Sequence, residues 1–456
     1  MSDRHAVIWT RSADAPLKLG NLVVTQRESR FSYSDEALAR DDVPGVSLLC
    51  PKSATPPVFQ AKGGFFMYPR LMALIPPPGH NLQRQIYTRL LQAAPGGIPA
   101  GQDLEWALFL LAGRNGIGHL DVFPDDLAAD RWYRLPAPAP SQAIGPRSRL
   151  WTQLREGFVH DLAPLDARMV EHLIGPTPSA GGMTTKLLAA IPDAPRWAGR
   201  IAPPGTQRIG DTTFTDVVLK IEQPHYAGLA ELEALCLRVH RECGFDTPRF
   251  WRSSQAEMEF LAVERFDRSG GLPLPLESFY ALLAMGRRDF LSTADITLDE
   301  LGQTIPKLAA VASLEVKSTQ EAIFRRVVLA LLTGNGDLHL ENLSLLGGAR
   351  EARLAPVYDP APMRAWARHD LRFAIPIDFD NAHGGVAGNL IAWAPAFGMK
   401  PARAREIIAT LLEQTRDYPE RVMALEKVPP ERRQRLVAVV RRERQGLVKE
   451  LGTEQP

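Results

Sequence analysis

The chain has 456 residues, more than one hydrophobic core usually accommodates, so we expect two or three domains. Its formal net charge of +1 excludes a global field that would attract nucleic acid or an anionic membrane. The three cysteines, Cys50, Cys236 and Cys243, are too few for a disulfide framework and are typical of a reducing compartment.

The sequence carries no targeting pattern. No basic segment followed by an apolar core stands at Met1, and no apolar run approaches the roughly 20 residues needed to span a bilayer. We therefore expect a cytoplasmic protein that has no membrane partner.

The first part of the chain mixes both kinds of element. Residues 31–33 alternate like a strand, whereas residues 82–93 and 103–112 have helical periodicity. The Pro/Ala run at 135–140 then predicts a linker, because proline cannot continue a helix. We expect an N-terminal α/β subdomain at residues 1–134, followed by a partly helical segment from 151 to 173.

A second strand-containing part follows. Residues 214–221 and 260–266 are rich in β-branched and aromatic side chains and predict strands. The helix predicted between them, 228–243, carries Cys236 and Cys243 on one apolar face, which is more typical of core packing than of a metal site.

From Leu276 onward the chain reads as mostly helical. We therefore expect a strand-rich lobe at residues 148–268 and a helical lobe at residues 269–456. The predicted fold class is α+β, with two lobes.

One motif in the second lobe carries chemistry. A helical stretch ends at the breaker cluster 333–336, and Asp337 is followed five residues later by Asn342. Two short strands, 343–346 and 354–357, flank Gly347-Gly348 and predict a hairpin that returns Asp359 toward Asp337. Phosphoryl transfer from ATP needs this set, because one carboxylate orients the attacking hydroxyl while an Asn and an Asp hold magnesium.

Two further side chains fit that chemistry. Lys220 ends a predicted strand, where an ammonium group can offset phosphate charge, although an outward edge-strand lysine is the plainer alternative. Glu233, on the next helix, either holds that lysine or is a solvated carboxylate.

Three other features have two interpretations each. The loop 179–186 offers glycine-freed N–H groups to phosphate, but on composition alone an ordinary surface loop is the better interpretation. Residues 263–268 form either the hinge that binds adenine or a charge cluster at a strand end. His339 contacts the transferring phosphate or braces its own loop.

Taken together, these residues resemble the HipA-type serine/threonine protein kinases, the toxin half of bacterial toxin–antitoxin pairs. The resemblance runs along nearly the whole chain and is most specific at 263–268, 337–344 and 358–359. It implies a two-lobed, protein-kinase-like fold. The other segments that carry it are residues 31–33, 65–66, 81–84, 110–113, 217–220 and 393–416, together with Glu233.

The resemblance also implies roles for single residues. Asp337 would be the catalytic base, and Asn342 and Asp359 would hold Mg²⁺. The remaining nucleotide contacts, with ATP as the cofactor, would come from Lys220, Glu264, Phe266, His339 and Tyr358.

In the loop, Ser179 matches the serine that the family autophosphorylates, an event that ejects the loop and stops the enzyme. The other loop residues are Gly181, Gly182 and Lys186. Two positions depart from the family pattern: Thr184 replaces a glutamine of the loop, and Glu341 replaces a lysine of the catalytic motif.

The implied acceptor is an aminoacyl-tRNA synthetase, glutamyl or tryptophanyl, whose phosphorylation halts translation. The implied partner is a small helix-turn-helix antitoxin, through which the chain would meet DNA indirectly. Two alternatives stay open: a kinase with a small-molecule acceptor, and a non-catalytic scaffold that acts as co-repressor with the helix-turn-helix protein.

Overall fold

This computed structural model describes residues 3–12, 15–60, 67–76, 82–93, 101–135, 144–159, 185–205, 213–284, 296–376 and 383–452. The predicted linker, apart from Leu135, and the whole segment 160–184 lie outside these ranges. Within them, none of the helices combines the length and apolar character that a membrane crossing requires.

The strands fall into three main antiparallel sheets and one two-stranded ribbon. Their bounds are β1 (Arg4–Thr10), β2 (Leu17–Val24), β3 (Glu28–Tyr33), β4 (Phe59–Gln60), β5 (Leu120–Phe123), β6 (Thr185–Pro192), β7 (Phe214–Ile221), β8 (Phe250–Gln255), β9 (Met258–Glu264), β10 (Arg268–Ser269), β11 (Leu272–Pro273), β12 (Leu276–Ser278), β13 (Ser344–Leu346) and β14 (Arg353–Leu354).

The helices are short in the first half of the chain and longer in the second. Their bounds are α1 (Asp35–Ala39), α2 (Pro69–Met72), α3 (Leu82–Ala93), α4 (Gln102–Ala112), α5 (Asp126–Arg134), α6 (Arg149–Val159), α7 (Leu229–Glu242), α8 (Phe279–Ala284), α9 (Leu298–Leu308), α10 (Val316–Thr333), α11 (Val386–Ala392), α12 (Pro401–Gln414), α13 (Tyr418–Met423) and α14 (Pro430–Leu451).

The first sheet has the order β4-β3-β2-β1-β5, and α3 and α4 accompany it. The predicted strand at 31–33 is confirmed within β3, and the two predicted helices are confirmed as α3 and α4. The alternation of β3, with Phe31 and Tyr33 buried and Arg30 and Ser32 exposed, follows from one face packing on the core.

The second sheet has the order β6-β7-β9-β8, and α7 crosses it between β7 and β8 in the chain. The predicted strands at 214–221 and 260–266 are confirmed as β7 and, shifted by two residues, β9. The predicted helix is confirmed as α7, where Cys236 and Cys243 are buried as core residues.

Two large apolar cores give the molecule two lobes. One core joins the first sheet to the second, for example Leu19 and Phe31 together with Leu219 and Phe260. The other fills the helical part and includes residues of α7, α10, α12 and α14. The fold is therefore α+β with a mostly helical C-terminal lobe. The boundary near residue 134 stays a prediction, although one continuous core spans both of its sides.

Candidate functional site

The segment from Gly334 to Asn342 is shaped by the end of α10. Gly334 has φ +75° and its N–H bonds the carbonyls of the last helical turn, which stops the helix. The side-chain oxygen of Asn335 accepts the Asp337 N–H at 2.9 Å. Asn342 Nδ2 then donates to the Asp337 carbonyl at 2.8 Å. These bonds fix the backbone on both sides of the Asp337 carboxyl.

A hairpin carries the chain back to the same place, as the sequence predicts. The hairpin pairs β13 with β14, and β12 adds a third strand that the sequence did not indicate. Tyr358 donates its hydroxyl to the Glu341 carbonyl at 2.6 Å and lies 2.6 Å from the Ser344 hydroxyl. The next residue, Asp359, has φ +55°, a left-handed conformation that is unusual for a residue other than glycine.

Two lysines from neighbouring strands meet the Asp359 carboxylate. Lys186 Nζ lies 2.5 Å from its Oδ2, and Lys220 Nζ lies 2.6 Å from its Oδ1. Lys220 also contacts Glu233, which is 2% exposed on α7. Lys186 and Lys220 stand opposite each other in the pairing of β6 with β7, so two like charges side by side are tolerated because carboxylates lie between them.

The charges of this cluster shift its ionisation equilibria. Burial opposes the charged form of Asp359, but Lys186 and Lys220 hold the pKa of its carboxyl well below the usual range. Burial and the charge of Asp359 raise the pKa of Asp337 to about 6, against the opposing effect of the two lysines. The two carboxylates therefore share one electrostatic environment. Asp359 is firmly ionised, whereas the pKa of Asp337 is close to that of a general base that works at neutral pH.

The remaining described residues of the predicted site lie around this cluster. The rings of Phe266 and Tyr358 are 5.3 Å apart, at the end of β9. No described residue bonds the backbone N–H of Phe266. Burial lowers the pKa of His339, and its Nδ1 has no hydrogen-bond partner among those residues. The Glu264 carboxylate faces away from this chemistry, since it pairs with Arg249 at 2.8 Å.

The oxygen atoms present suit a hard divalent cation. Asn342 uses its nitrogen internally, and its Oδ1 has no hydrogen bond to the described part of the chain. Together with the Asp359 carboxylate it supplies the hard oxygen ligands that Mg²⁺ prefers. The ammonium groups of Lys186 and Lys220, which contact Asp359, supply positive charge where such an ion would bind. The described ranges contain no cluster of 3 or more His, Cys, Asp and Glu residues suited to a metal.

The predicted loop is only partly described. Ser179, Gly181, Gly182 and Thr184 lie outside the described residues, whereas Lys186 is the second residue of β6. The sequence analysis did not predict the contact of Lys186 with Asp359, because it interpreted the loop from its composition alone. The signal that the sequence does hold is the apolar run after Lys186, which fits a fully buried strand.

Comparison with known proteins gives the family. The model of the HipA-like C-terminal domain matches residues 178–418, more than half of the chain. The chain belongs to the HipA-like family. This HipA-like chain is 31% identical over 158 residues to a "Putative kinase" of Haemophilus influenzae, and 26% identical over 156 residues to "Putative kinase Y4dM" of Sinorhizobium fredii. Each match covers 31% of this chain, but only 43% and 36% of those relatives.

The fold agrees with that family. The solved HipA of Shewanella oneidensis MR-1, from a complex with HipB and its operator DNA, superposes with a TM-score of 0.61. The match covers 98% of this HipA-like chain and 100% of that one at 16% identity, so it concerns the fold alone. The two-lobed, HipA-type, kinase-like architecture predicted from the sequence is confirmed.

Proposed function

We propose that this chain is an ATP- and Mg²⁺-dependent serine/threonine protein kinase of the HipA type. One observation carries the proposal: Asp337, with its pKa raised to about 6, shares an electrostatic environment with Asp359 and two lysines. A kinase needs a carboxylate that accepts the acceptor hydroxyl's proton beside charges that hold a triphosphate.

Each residue has a role in this proposal. Asp337 is mostly ionised above pH 7, so it orients the acceptor hydroxyl and takes its proton. Lys220, positioned by Glu233, and Lys186 offset phosphate charge. Asn342 Oδ1 and Asp359 hold Mg²⁺, which neutralises the negative charge of the phosphates when bound. Phe266, Tyr358 and His339 line the nucleotide site, with backbone groups of Glu264 and Phe266 toward adenine.

The finer biological role rests on the family. We infer a cytoplasmic enzyme that phosphorylates an aminoacyl-tRNA synthetase and is restrained by a small helix-turn-helix antitoxin. What supports the antitoxin is that the fold matches a HipA solved together with HipB and operator DNA.

Autophosphorylation at Ser179 belongs to the same proposal. The matched family region begins at residue 178 and so includes Ser179, and Lys186, seven residues later, reaches Asp359. Phosphate on Ser179 would add about two negative charges to this loop, and we infer that the added charge drives the loop from the site, as the family resemblance implies. Mass spectrometry should find this phosphate on the wild-type protein and none on the Asp337→Asn variant. If Ser179→Ala leaves the loss of activity over time unchanged, this regulation is wrong.

The decisive experiment is phosphoryl transfer itself. The purified chain is incubated with γ-labelled ATP and Mg²⁺, alone and with bacterial lysate. We expect label on protein with wild type and with Asp130→Asn, a control at an exposed helix position, and none with Asp337→Asn. Folded wild type that labels no protein would contradict the proposal, and label in a small metabolite would instead favour a small-molecule kinase.

A further inference from the structure

The segment that follows Asp359 forms part of a surface that carries arginines. Two aromatic rings lie beneath this surface, Tyr226, which is 4% exposed, and Trp366, which is 2% exposed. Their centroids are 5.6 Å apart and their planes are inclined at 73°. The guanidinium carbon of Arg368 lies 4.6 Å from the centroid of Tyr226, and that of Arg432 lies 5.6 Å from the centroid of Trp366. We call these two rings and two arginines the arginine platform.

The platform joins three parts of the chain, which hydrogen bonds hold together. Trp366 Nε1 donates to the His225 carbonyl at 3.1 Å, and the Tyr226 hydroxyl lies 2.8 Å from His369 Nε2. Tyr226 precedes α7 in the strand-rich lobe, Trp366 belongs to the helical lobe, and Arg432 is in the first turn of α14. The rings are therefore fixed in place, and a cation–π contact holds each arginine over its ring.

No carboxylate of the described residues pairs with the two arginines. Arg368 is exposed and Arg432 is half-buried, and neither forms an ion pair with the described part of the chain. Burial lowers the pKa of His225 and of His369, and the charge of Arg368 lowers both further. It is the only charge among the described residues that shifts the pKa of either histidine. The surface around Arg368 therefore has positive charge and no opposing negative charge.

The acids next to this surface in sequence do not neutralise it. The Asp370 carboxylate pairs with Arg364 and Arg435, in each case at 2.9 Å. Glu431 precedes Arg432 on α14, where the side chains of adjacent residues do not face each other. A ligand that complements the platform therefore has to bring negative charge of its own.

The segment 364–371 packs directly against the backbone that leads into the candidate base. The Arg364 N–H donates to the Gly334 carbonyl at 3.2 Å. A Cβ at Gly336 would collide with the Leu371 carbonyl oxygen, so the two backbones are in contact there. The surface built on this segment is therefore at the edge of the candidate active site.

Asp337 is close enough to this surface for its charge to act on Tyr226. Burial raises the pKa of Tyr226 against the effect of Arg368, and the charge of Asp337 adds to the rise. Arg368, by contrast, is not among the charges that shift the pKa of Asp337. The platform therefore borders the candidate base without reaching the hydroxyl that this base would deprotonate. A substrate group bound to the arginines is a neighbour of the acceptor residue and not the acceptor itself.

We propose that the arginine platform binds an acidic side chain, Asp or Glu, that flanks the acceptor serine or threonine of the protein substrate. This inference rests on the proposed kinase activity and names the class of acceptor segment. An extended chain advances about 3.3–3.6 Å per residue. An acid about two to four residues from the acceptor can therefore lie on the platform while the acceptor hydroxyl meets Asp337.

The first experiment maps the acceptor sites. The full chain is incubated with ATP and Mg²⁺ in a bacterial lysate and, separately, with peptides cleaved from that lysate, and mass spectrometry locates the phosphates that wild type adds and Asp337→Asn does not. We expect Asp or Glu to be enriched at one or two fixed positions near the acceptor. Sites without this enrichment would overturn the inference and leave the kinase activity standing. If no site is phosphorylated, the proposed function fails and the inference fails with it.

The second experiment compares two synthetic peptides that copy the best site, with Asp or Asn at the enriched position. Two surface ion pairs predict a preference of roughly five- to thirty-fold for the Asp peptide in kcat/KM. The preference should appear in the KM for the peptide, because the contact is remote from the reacting atoms. Equal kcat/KM for the two peptides would overturn the inference.

Variants of the arginines locate the preference. Arg368→Gln/Arg432→Gln should reduce it to less than about twofold. Arg368→Gln alone, at an exposed position, should lower it several-fold and covers the case in which the double glutamine variant fails to fold. Arg368→Glu/Arg432→Glu should instead favour a peptide with Lys at that position. Arg416→Gln, a control at an exposed arginine paired with Glu413, should keep the wild-type preference.

Two results with these variants would overturn the proposal. One is an acid preference that survives Arg368→Gln and the double glutamine variant. The other is labelling of lysate proteins that ribonuclease lowers, for wild type, to the level of the double glutamine variant, because the platform would then bind RNA and not an acidic peptide.

Discussion

At the scale of single residues, the charge that Asp337 carries at neutral pH lowers the free energy of unfolding. Its pKa is raised from 3.8 to about 6 by burial and by Asp359. As pH rises from 3.8, the unfolded chain gives up this proton before the folded chain does. Asp337 therefore lowers stability progressively up to about pH 6, and the loss is complete at higher pH.

Replacing that carboxyl by an amide should stabilise the protein while removing activity. We expect Asp337→Asn to raise the free energy of unfolding at pH 8 by about 1–3 kcal/mol, because the buried charge disappears. The gain should shrink below pH 6 and vanish near pH 3.8. Urea denaturation at several pH values measures it. Asp130→Asn, at an exposed position, should show no such pH-dependent gain. An equal gain in both variants would contradict the raised pKa of Asp337.

At the scale of elements, the contact between Lys220 and Glu233 joins β7 to α7. Removing the lysine leaves a buried carboxylate unpaired, so we expect Lys220→Met to cost about 3–5 kcal/mol of stability. The double variant Lys220→Met/Glu233→Gln should recover much of that loss, since no uncompensated charge remains.

The same pair separates stability from function. Neither the single nor the double variant should transfer phosphate, because both lack the ammonium group. Chemical denaturation and the labelled-ATP assay give the two readouts. If the double variant is as unstable as the single one, the ion pair between Lys220 and Glu233 does not contribute measurably to stability.

The end of α10 gives a prediction with a matched control. Gly334 and Gly452 both end helices with positive φ, at +75° and +66°. A Cβ at Gly334 would lie 2.5 Å from Leu436 Cδ1, whereas a Cβ at Gly452 would have nothing within 4 Å. We expect Gly452→Ala to cost about 1 kcal/mol from backbone strain alone.

Gly334→Ala should cost more and should also lower kcat, since the displaced backbone leads directly into Asp337. Thermal unfolding and steady-state kinetics measure the two effects. Equal losses of stability in the two variants, with kcat unchanged in Gly334→Ala, would show that the contact with Leu436 does not matter.

Elements formed by local signals could be predicted, and those formed by distant contacts could not. The glycine-rich breaker after α10 and the paired glycines of the hairpin are local, so the return of Asp359 toward Asp337 was predictable. The strand predicted at 354–357 is shorter, because β14 pairs only at Arg353–Leu354. β12 joins β13 from nearly 70 residues away in sequence, which periodicity cannot indicate. The bond of Lys186 to Asp359 spans 173 residues of sequence, an even longer separation.

At the scale of the whole molecule, a buried charge network connects the candidate adenine edge to the N-terminal subdomain. Arg265 and Asp267 pair at 2.7 Å with side chains 1% and 3% exposed. Arg265 donates to the Gly116 carbonyl at 2.5 Å, and Asp267 accepts the Gly118 N–H at 2.7 Å. The sequence predicted a charge cluster at this strand end as one alternative. The structure shows the cluster buried, because the N-terminal subdomain covers it.

This network should determine whether the two parts unfold together. We expect Asp267→Ala to cost about 3–5 kcal/mol, because Arg265 is left buried without its partner. Calorimetry should then resolve two transitions, or one at a much lower temperature. Asp193→Asn removes a more exposed pair with Arg249 on the second sheet and should leave the Tm within about 2 °C. Similar losses in the two variants would rule out a special role for the buried pair.

The three cysteines have a practical consequence. Cys50, Cys236 and Cys243 are all buried, and burial raises the pKa of each thiol. Thiolates are the species that react with maleimides, so the native protein should be nearly silent toward such dyes. One cysteine introduced on an exposed turn of each lobe would therefore accept a fluorophore pair without removal of the native thiols. Energy transfer would then report any change in the distance between the two lobes when ATP and Mg²⁺ are added, in an otherwise unaltered chain.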